Sequence, residues 1–160
     1  MGLVDELGAA LSPERIKTHP LERHLYGRDA GIARGRVAVV VFPETTAETV
    51  EVIRIARSNG MPVVPRGAGT GLAGGAVPTE PGVVVALTRM NRIFEVDVDN
   101  RTAWVGPGVI NLDLSRHTDQ YGLHFAPDPS SQSACTIGGN VACNSGGPHC
   151  LAEGTTVDHV

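Results

Sequence analysis

Hydrophobic positions along this chain recur with two different periods, and the change between them marks out the elements. Val37 to Phe42 is a continuous apolar run closed by Pro43, short enough to be a buried strand. From Thr45 the spacing becomes helical. Ala47, Val50 and Ile53 share one face, Val52, Ile55 and Ala56 widen it, and Glu51, Arg54 and Arg57 fall mostly on the other. The T-x-x-E spacing of Thr45 and Glu48 predicts a capping box, and Gly60 after Asn59 a C-terminal stop. Met61 to Pro65 predicts a second strand, so this stretch reads as a β-α-β unit with parallel strands. Val83 to Leu87, Ile93 to Val98 and Thr102 to Val105 predict three further strands close together, the last two joined as a hairpin through Asp99-Asn100. Asn111 is placed to cap a helix ending at Gly122, and Pro127 to Gly147 lacks regular periodicity. Residues 1–35 read as a polar, helical lead-in with a start signal at Ser12-Pro13 and a loop from Arg23 to Arg36. The expected class is α+β: a lead-in over 1–35, then one domain over 36–160 in which a β-α-β unit is followed by a mixed sheet.

Composition narrows the function. A hydrophobic fraction of 41% with 19% charged residues describes a globular chain. A net charge of −4 argues against a general electrostatic grip on nucleic acid, and 4% aromatics leaves little for base stacking. The N-terminus lacks a basic segment followed by an apolar one, so no signal peptide is read there, and no apolar run reaches membrane-spanning length. Cys135, Cys143 and Cys150 are odd in number and fit a reducing compartment. The expectation is a cytoplasmic protein, or one at the inner face of the membrane.

Glycine is clustered in two stretches, Gly67 to Gly82 and Gly138 to Gly147. The first, Pro65 to Gly75 (PRGAGTGLAGG), holds a literal G-x-G-x-x-G at Gly69, Gly71 and Gly74, with Glu95 where a dinucleotide-binding unit would want an acid. That unit needs its glycines to open a helix, and Gly75, Pro78, Pro81 and Gly82 forbid one. No Lys follows, which excludes a nucleoside-triphosphate loop. Glycines without a helix can still turn successive N–H groups toward one anion, and Arg66 and Thr70 can add a charge and a hydroxyl. The second stretch, from Pro127, offers Thr136 and then the open backbone of Gly138, Gly139, Asn144 and Gly147, against which a flat ring can pack. Together the loops suggest one extended ligand with a diphosphate and ring ends. Cys143, His149 and Cys150 lack a C-x-x-C pair, so no metal is assigned. For His149 a loop-packing role is favoured over a general base.

The pairing of PRGAGTGLAGG with PDPSS…TIGGNVACNSGGPHC and GTTVDHV resembles the FAD-binding domain of the vanillyl-alcohol-oxidase/para-cresol-methylhydroxylase family, in its D-lactate dehydrogenase and glycolate oxidase branch. The resemblance runs from about Val37 to Val160 and implies the N-terminal part of a PCMH-type FAD-binding fold. It implies that Arg66, Gly67, Ala68, Gly69, Thr70 and Gly71 surround the pyrophosphate. It places Pro127, Asp128, Ser131, Thr136, Gly138, Gly139, Asn144 and Gly147 along the flavin and its ribityl phosphate, and Gly154, Thr156, Asp158 and Val160 on the next cofactor-facing stretch. Covalent members carry a flavin-linking His in the first loop. Thr70 or Gly71 stands there in this chain, so the implied FAD is non-covalent. Ala152-Glu153 replaces the Lys-Tyr common in the branch. The implied activity is oxidation of a small D-2-hydroxy acid (lactate, glycolate or similar), with an iron–sulfur or electron-transfer partner subunit as a possible acceptor. The implied catalytic residues lie beyond Val160, so none is assigned, and the fragment alone is expected to be inactive. The alternatives are a truncated, non-catalytic nucleotide-binding module and an oxidase of the same fold acting on another alcohol.

Overall fold

A computed structural model describes residues 2–160. The chain divides into two compact units, one running to Arg89 and the other from Met90 to Val160.

In the first unit, the expected β-α-β unit is present but its two strands are not neighbours. β2 (Val37–Val41) and β3 (Val63–Arg66) each pair in parallel with β4 (Gly82–Ala86), which lies between them. β1 (Ile16–Lys17) adds an antiparallel edge, giving the order β1-β2-β4-β3. The sequence grouped Val83 to Leu87 with the later strands. Its apolar character on both faces instead suits the centre of a sheet covered on both sides. Val39, Val41, Val83 and Val85 face one core with Leu7 and Leu11 of the lead-in and Val52, Ile55 and Ala56 of the helix after β2. Val40, Val84 and Ala86 face the other, with Tyr26 and Phe42 packed against them. Val37 joins Val40 there despite the odd spacing, because the register with β4 shifts between Val37 and Val39.

α1 (Leu3–Ala10) precedes a 3-10 turn at Pro13–Arg15, so Ser12-Pro13 starts a single turn rather than the lead-in's helix. α2 (Pro20–Tyr26) takes the first residues of the expected loop, which is left as 27–36. α3 (Thr46–Ser58) is capped by Thr45, whose hydroxyl accepts the Glu48 N–H at 3.1 Å. The capping box is not closed as predicted, because the Glu48 carboxylate accepts the Glu44 N–H instead and pairs with Nη1 and Nη2 of Arg15. The buried stripe of α3 is Val52, Ile55 and Ala56, while Val50 is 61% and Ile53 45% exposed. Both stripes have helical spacing. The inner one is set by its polar ends, where Glu48 meets Arg15 and Asn59 donates to Glu6.

In the second unit, β5 (Ile93–Asp97) and β6 (Thr102–Val105) form the predicted hairpin, whose turn is held by Asp97 accepting the Asn100 N–H. α4 (Asn111–Thr118) begins after Ile110, so Asn111 is the first helical residue rather than the cap, and a 3-10 turn continues to Tyr121 before Gly122 at φ 67°. α5 (Ile137–Cys143) occupies a stretch without readable periodicity, and α6 (Cys150–Glu153) and a 3-10 turn (Thr156–Asp158) follow. Val109, Leu114 and Ile137 form the core of this unit.

Candidate functional site

The first glycine stretch leaves the end of β3 as an irregular loop. Arg66, the last residue of that strand, is 9% exposed. Its Nη1 donates to the Arg28 carbonyl at 2.7 Å, and its guanidinium sits 5.2 Å from the centre of the Tyr26 ring. Among the described residues Nε has no partner, and no carboxylate forms an ion pair with Arg66. Burial pulls its pKa below the ordinary value, partly offset by Tyr26 and Asp29. A half-desolvated cation with no carboxylate in contact is stabilised further when an anion is supplied.

The backbone beyond it presents further donors to an anion. Among the described residues, the N–H groups of Ala68, Gly69, Thr70 and Gly71 have no acceptor. Gly69 has φ +75°, and a Cβ there would lie 2.0 Å from Arg66 Nη2, so the chain passes against the guanidinium where only glycine fits. A Cβ at Gly71 would meet nothing within 4 Å. A buried cation beneath a run of unpaired amides fits a diphosphate.

The sequence reading missed what holds this loop. The lead-in residues Arg28 to Gly31 run alongside it. The Ala30 N–H donates to the Gly71 carbonyl at 3.1 Å. Asp29 accepts the Gly74 N–H with Oδ2 and the Gly31 N–H with Oδ1, both at 2.8 Å. The signal available was an acid followed two residues later by Gly, the Asx-turn spacing.

In the second unit, most of the residues assigned from the sequence take part in local hydrogen bonds. Thr136 is buried and caps α5, its hydroxyl accepting the Gly139 N–H at 3.3 Å. Gly138 donates its N–H to the Pro107 carbonyl and packs so closely that a Cβ would lie 2.7 Å from Pro107 Cβ. Buried Pro127 accepts from Asn111 Nδ2 at 2.9 Å, and the Ser131 carbonyl accepts the N–H groups of Ala134 and Cys135. Asn144, at φ 48°, accepts the Val157 N–H through Oδ1 at 2.9 Å. Thr156 is fully buried and donates both its hydroxyl and its N–H to the Ser145 carbonyl. Asp158 accepts from the Thr155 N–H and hydroxyl, which lower its pKa, and crowds Gly154, whose φ is +82°. Gly147 lies against Asp128, and Val160 is exposed. Most of these side chains are committed to shaping the backbone. Two buried amides have free ends among the described residues, Asn140 at Nδ2 and Asn111 at Oδ1.

A groove of about 370 Å³ in this unit is lined by Ser115, His124, Phe125, Asp128, Gln132 and His149, among others. Asp128 Oδ2 and His149 Nδ1 are 2.6 Å apart. The carboxylate raises the pKa of the imidazole, and the imidazole lowers that of Asp128, so the pair can hold a proton. Among the described residues no helix is long and apolar enough to cross a membrane.

Comparison with known proteins sets this geometry in a family. The family model described as "FAD binding domain" matches residues 37–160. The glycolate oxidase subunit GlcD of Escherichia coli (strain K12) is 46% identical over 127 residues, covering 79% of this chain and 26% of that protein. The D-lactate dehydrogenase of Anaerostipes hadrus is 39% identical over 139 residues, covering 87% of this chain and 28% of the relative. A solved structure of alkyldihydroxyacetonephosphate synthase shares the fold, with TM-score 0.88 at 23% identity over 98% of this chain and 31% of its own. This chain therefore spans between a quarter and a third of the length of these relatives.

Proposed function

From the premise that this chain belongs to the FAD-binding-domain family and takes FAD as its cofactor, we propose that it is the cofactor-holding part of a flavin-dependent oxidoreductase that converts a D-2-hydroxy acid to the 2-oxo acid. The observation that carries the reading is the N–H run from Ala68 to Gly71, without acceptors among the described residues, beside buried Arg66, which no carboxylate contacts. These groups, with Gly67 and the Thr70 hydroxyl, hold the pyrophosphate. Orientation comes from backbone dipoles rather than from mobile side chains. Pro127, Asp128, Ser131, Thr136, Gly138, Gly139, Asn144 and Gly147 line the flavin and ribityl side, and Gly154, Thr156, Asp158 and Val160 flank them. The attachment is non-covalent, because Thr70 and Gly71 offer no imidazole for a linkage.

When bound, FAD supplies the two-electron acceptor for the carbon-bound hydrogen of the substrate. What this chain contributes is position, charge compensation at the diphosphate and exclusion of water from the committed hydrogen bonds around Thr136 and Thr156. The relatives' names support a small 2-hydroxy acid such as glycolate or D-lactate, and the word "subunit" supports an electron-transfer or iron–sulfur partner. A cytoplasmic site, free or at the inner membrane face, suits that partner.

The test is the absorbance of the purified full-length protein. Flavin bands that bleach anaerobically on adding glycolate, D-lactate or D-2-hydroxyglutarate support the reading. Flavin that stays oxidised with every 2-hydroxy acid refutes the substrate class, and flavin released only after proteolysis refutes the non-covalent attachment.

A further inference from the structure

Among the described residues the N–H groups of Ala68 to Gly71 have no acceptor, so something else must hold them in line. Regular structure ends with β3 at Arg66 and does not resume until β4 at Gly82. A loop of this length, rich in glycine, loses much entropy when it is ordered. The lead-in segment supplies the restraint from the other side.

We propose that Asp29 is a positioning residue for the cofactor, stapling the glycine loop through its two carboxylate oxygens; this rests on the diphosphate reading of that loop. One oxygen turns the lead-in back on itself at Gly31, and the other grips Gly74, the loop residue at φ +82°. Each oxygen serves one N–H donor, so the one carboxyl ties two backbone segments together. The staple does not act alone. The Arg28 carbonyl fixes the Arg66 guanidinium, and the Ala30 N–H fixes the Gly71 carbonyl. Contacts from three consecutive lead-in residues thus bracket the stretch from Arg66 to Gly74, whose free amides lie between the anchors. Gly31 passes so close to this rail that a Cβ would lie 2.6 Å from the Leu72 carbonyl. Asp29 touches no part of the ligand in this scheme. It places negative charge near a negative cofactor, and that charge is absorbed by the two amides and by proximity to Arg66.

The experiment is Asp29→Asn in the full-length protein, with FAD, ADP and riboflavin each titrated into apoprotein. An amide side chain can accept one N–H but presents its own N–H to the other, so one anchor is lost. The expected result is FAD and ADP binding weakened by roughly tenfold, the loss of one charge-assisted hydrogen bond, with riboflavin affinity unchanged. Equal weakening of riboflavin would mean general damage and would overturn the proposal. Should Asp29→Asn not fold, hydrogen exchange in the wild-type protein decides. The Gly74 amide is expected to be protected without FAD, and the amides of Ala68 to Gly71 only with it. A freely exchanging Gly74 amide overturns the staple. Amides from Ala68 to Gly71 that FAD leaves unprotected overturn the diphosphate reading and the staple with it. Protection of those amides together with unchanged FAD affinity in Asp29→Asn removes the staple alone.

Discussion

Gly69→Ala is the sharpest test of how the first loop is built. Gly69 has φ +75°, and a Cβ built on it lies 2.0 Å from Arg66 Nη2, 2.3 Å from Cζ and 2.8 Å from Nη1. Two effects add. Holding an L-residue in the left-handed region costs roughly 1–2 kcal/mol. Relief of the clash pushes the guanidinium off the Arg28 carbonyl, and a hydrogen bond from a charged donor is worth roughly 1.5–3 kcal/mol. The sum, about 3 kcal/mol near its lower end, is a large part of the stability of an ordinary domain. Gly71→Ala is the internal control. Its Cβ site is open and its φ is not in the left-handed region, so the change should shift stability by less than about 0.5 kcal/mol. Urea unfolding of full-length apoprotein for wild type and both variants gives the two differences. FAD titration of Gly69→Ala should also show affinity reduced by roughly tenfold or more, because Arg66 has moved. Equal stability of the two variants would refute the close passage of the loop over Arg66.

Other outcomes follow from the same structure. Leu7 of α1 is fully buried beside Val52 and Val83, so Leu7→Ala should destabilise by about 2–5 kcal/mol in urea unfolding; a loss under about 1 kcal/mol would mean that the lead-in is not part of this core. Glu48 holds Nη1 and Nη2 of Arg15 at 2.7 Å and 2.9 Å, with the Arg15 side chain only 11% exposed, so Glu48→Gln should cost about 1–2 kcal/mol at neutral pH. The Glu48 pKa is lowered by Arg15, so that stabilisation should fade as pH falls through its folded value; an unfolding curve for Glu48→Gln that stays parallel to wild type in acid would contradict this. For Asp128 and His149, the raised imidazole pKa means a tie fully present below the unfolded histidine value and lost as pH rises through the folded one. At the acid end the lowered Asp128 pKa means the tie is lost as pH falls through it. A histidine proton-resonance titration should place the His149 midpoint above that of an ordinary imidazole, and Asp128→Asn should bring it back. An unshifted midpoint in the wild type rules the pair out.

The elements that can be read locally are those whose signals lie within a few residues. The Val37 run, the Thr45 cap, the α3 helix and the β5–β6 hairpin all have period, cap or turn residues close in sequence, and all are present. The glycine loop after β3 is legible for the same reason, since glycine density and a neighbouring Arg announce an open backbone. What escaped is what distant residues decide. α5 hides because Gly138 and Gly139 lower helix propensity, and it forms because Gly138 can lie flat on Pro107 and Thr136 caps it. The inner stripe of α3 depends on Arg15 and Glu6, and the central place of β4 depends on strands on either side of it. Asp29 looks like any loop acid until the fold brings Gly74 to its second oxygen. Local chemistry determines what a backbone can do; only the packed chain determines which distant group completes it, because the energy of such a contact belongs to neither residue alone.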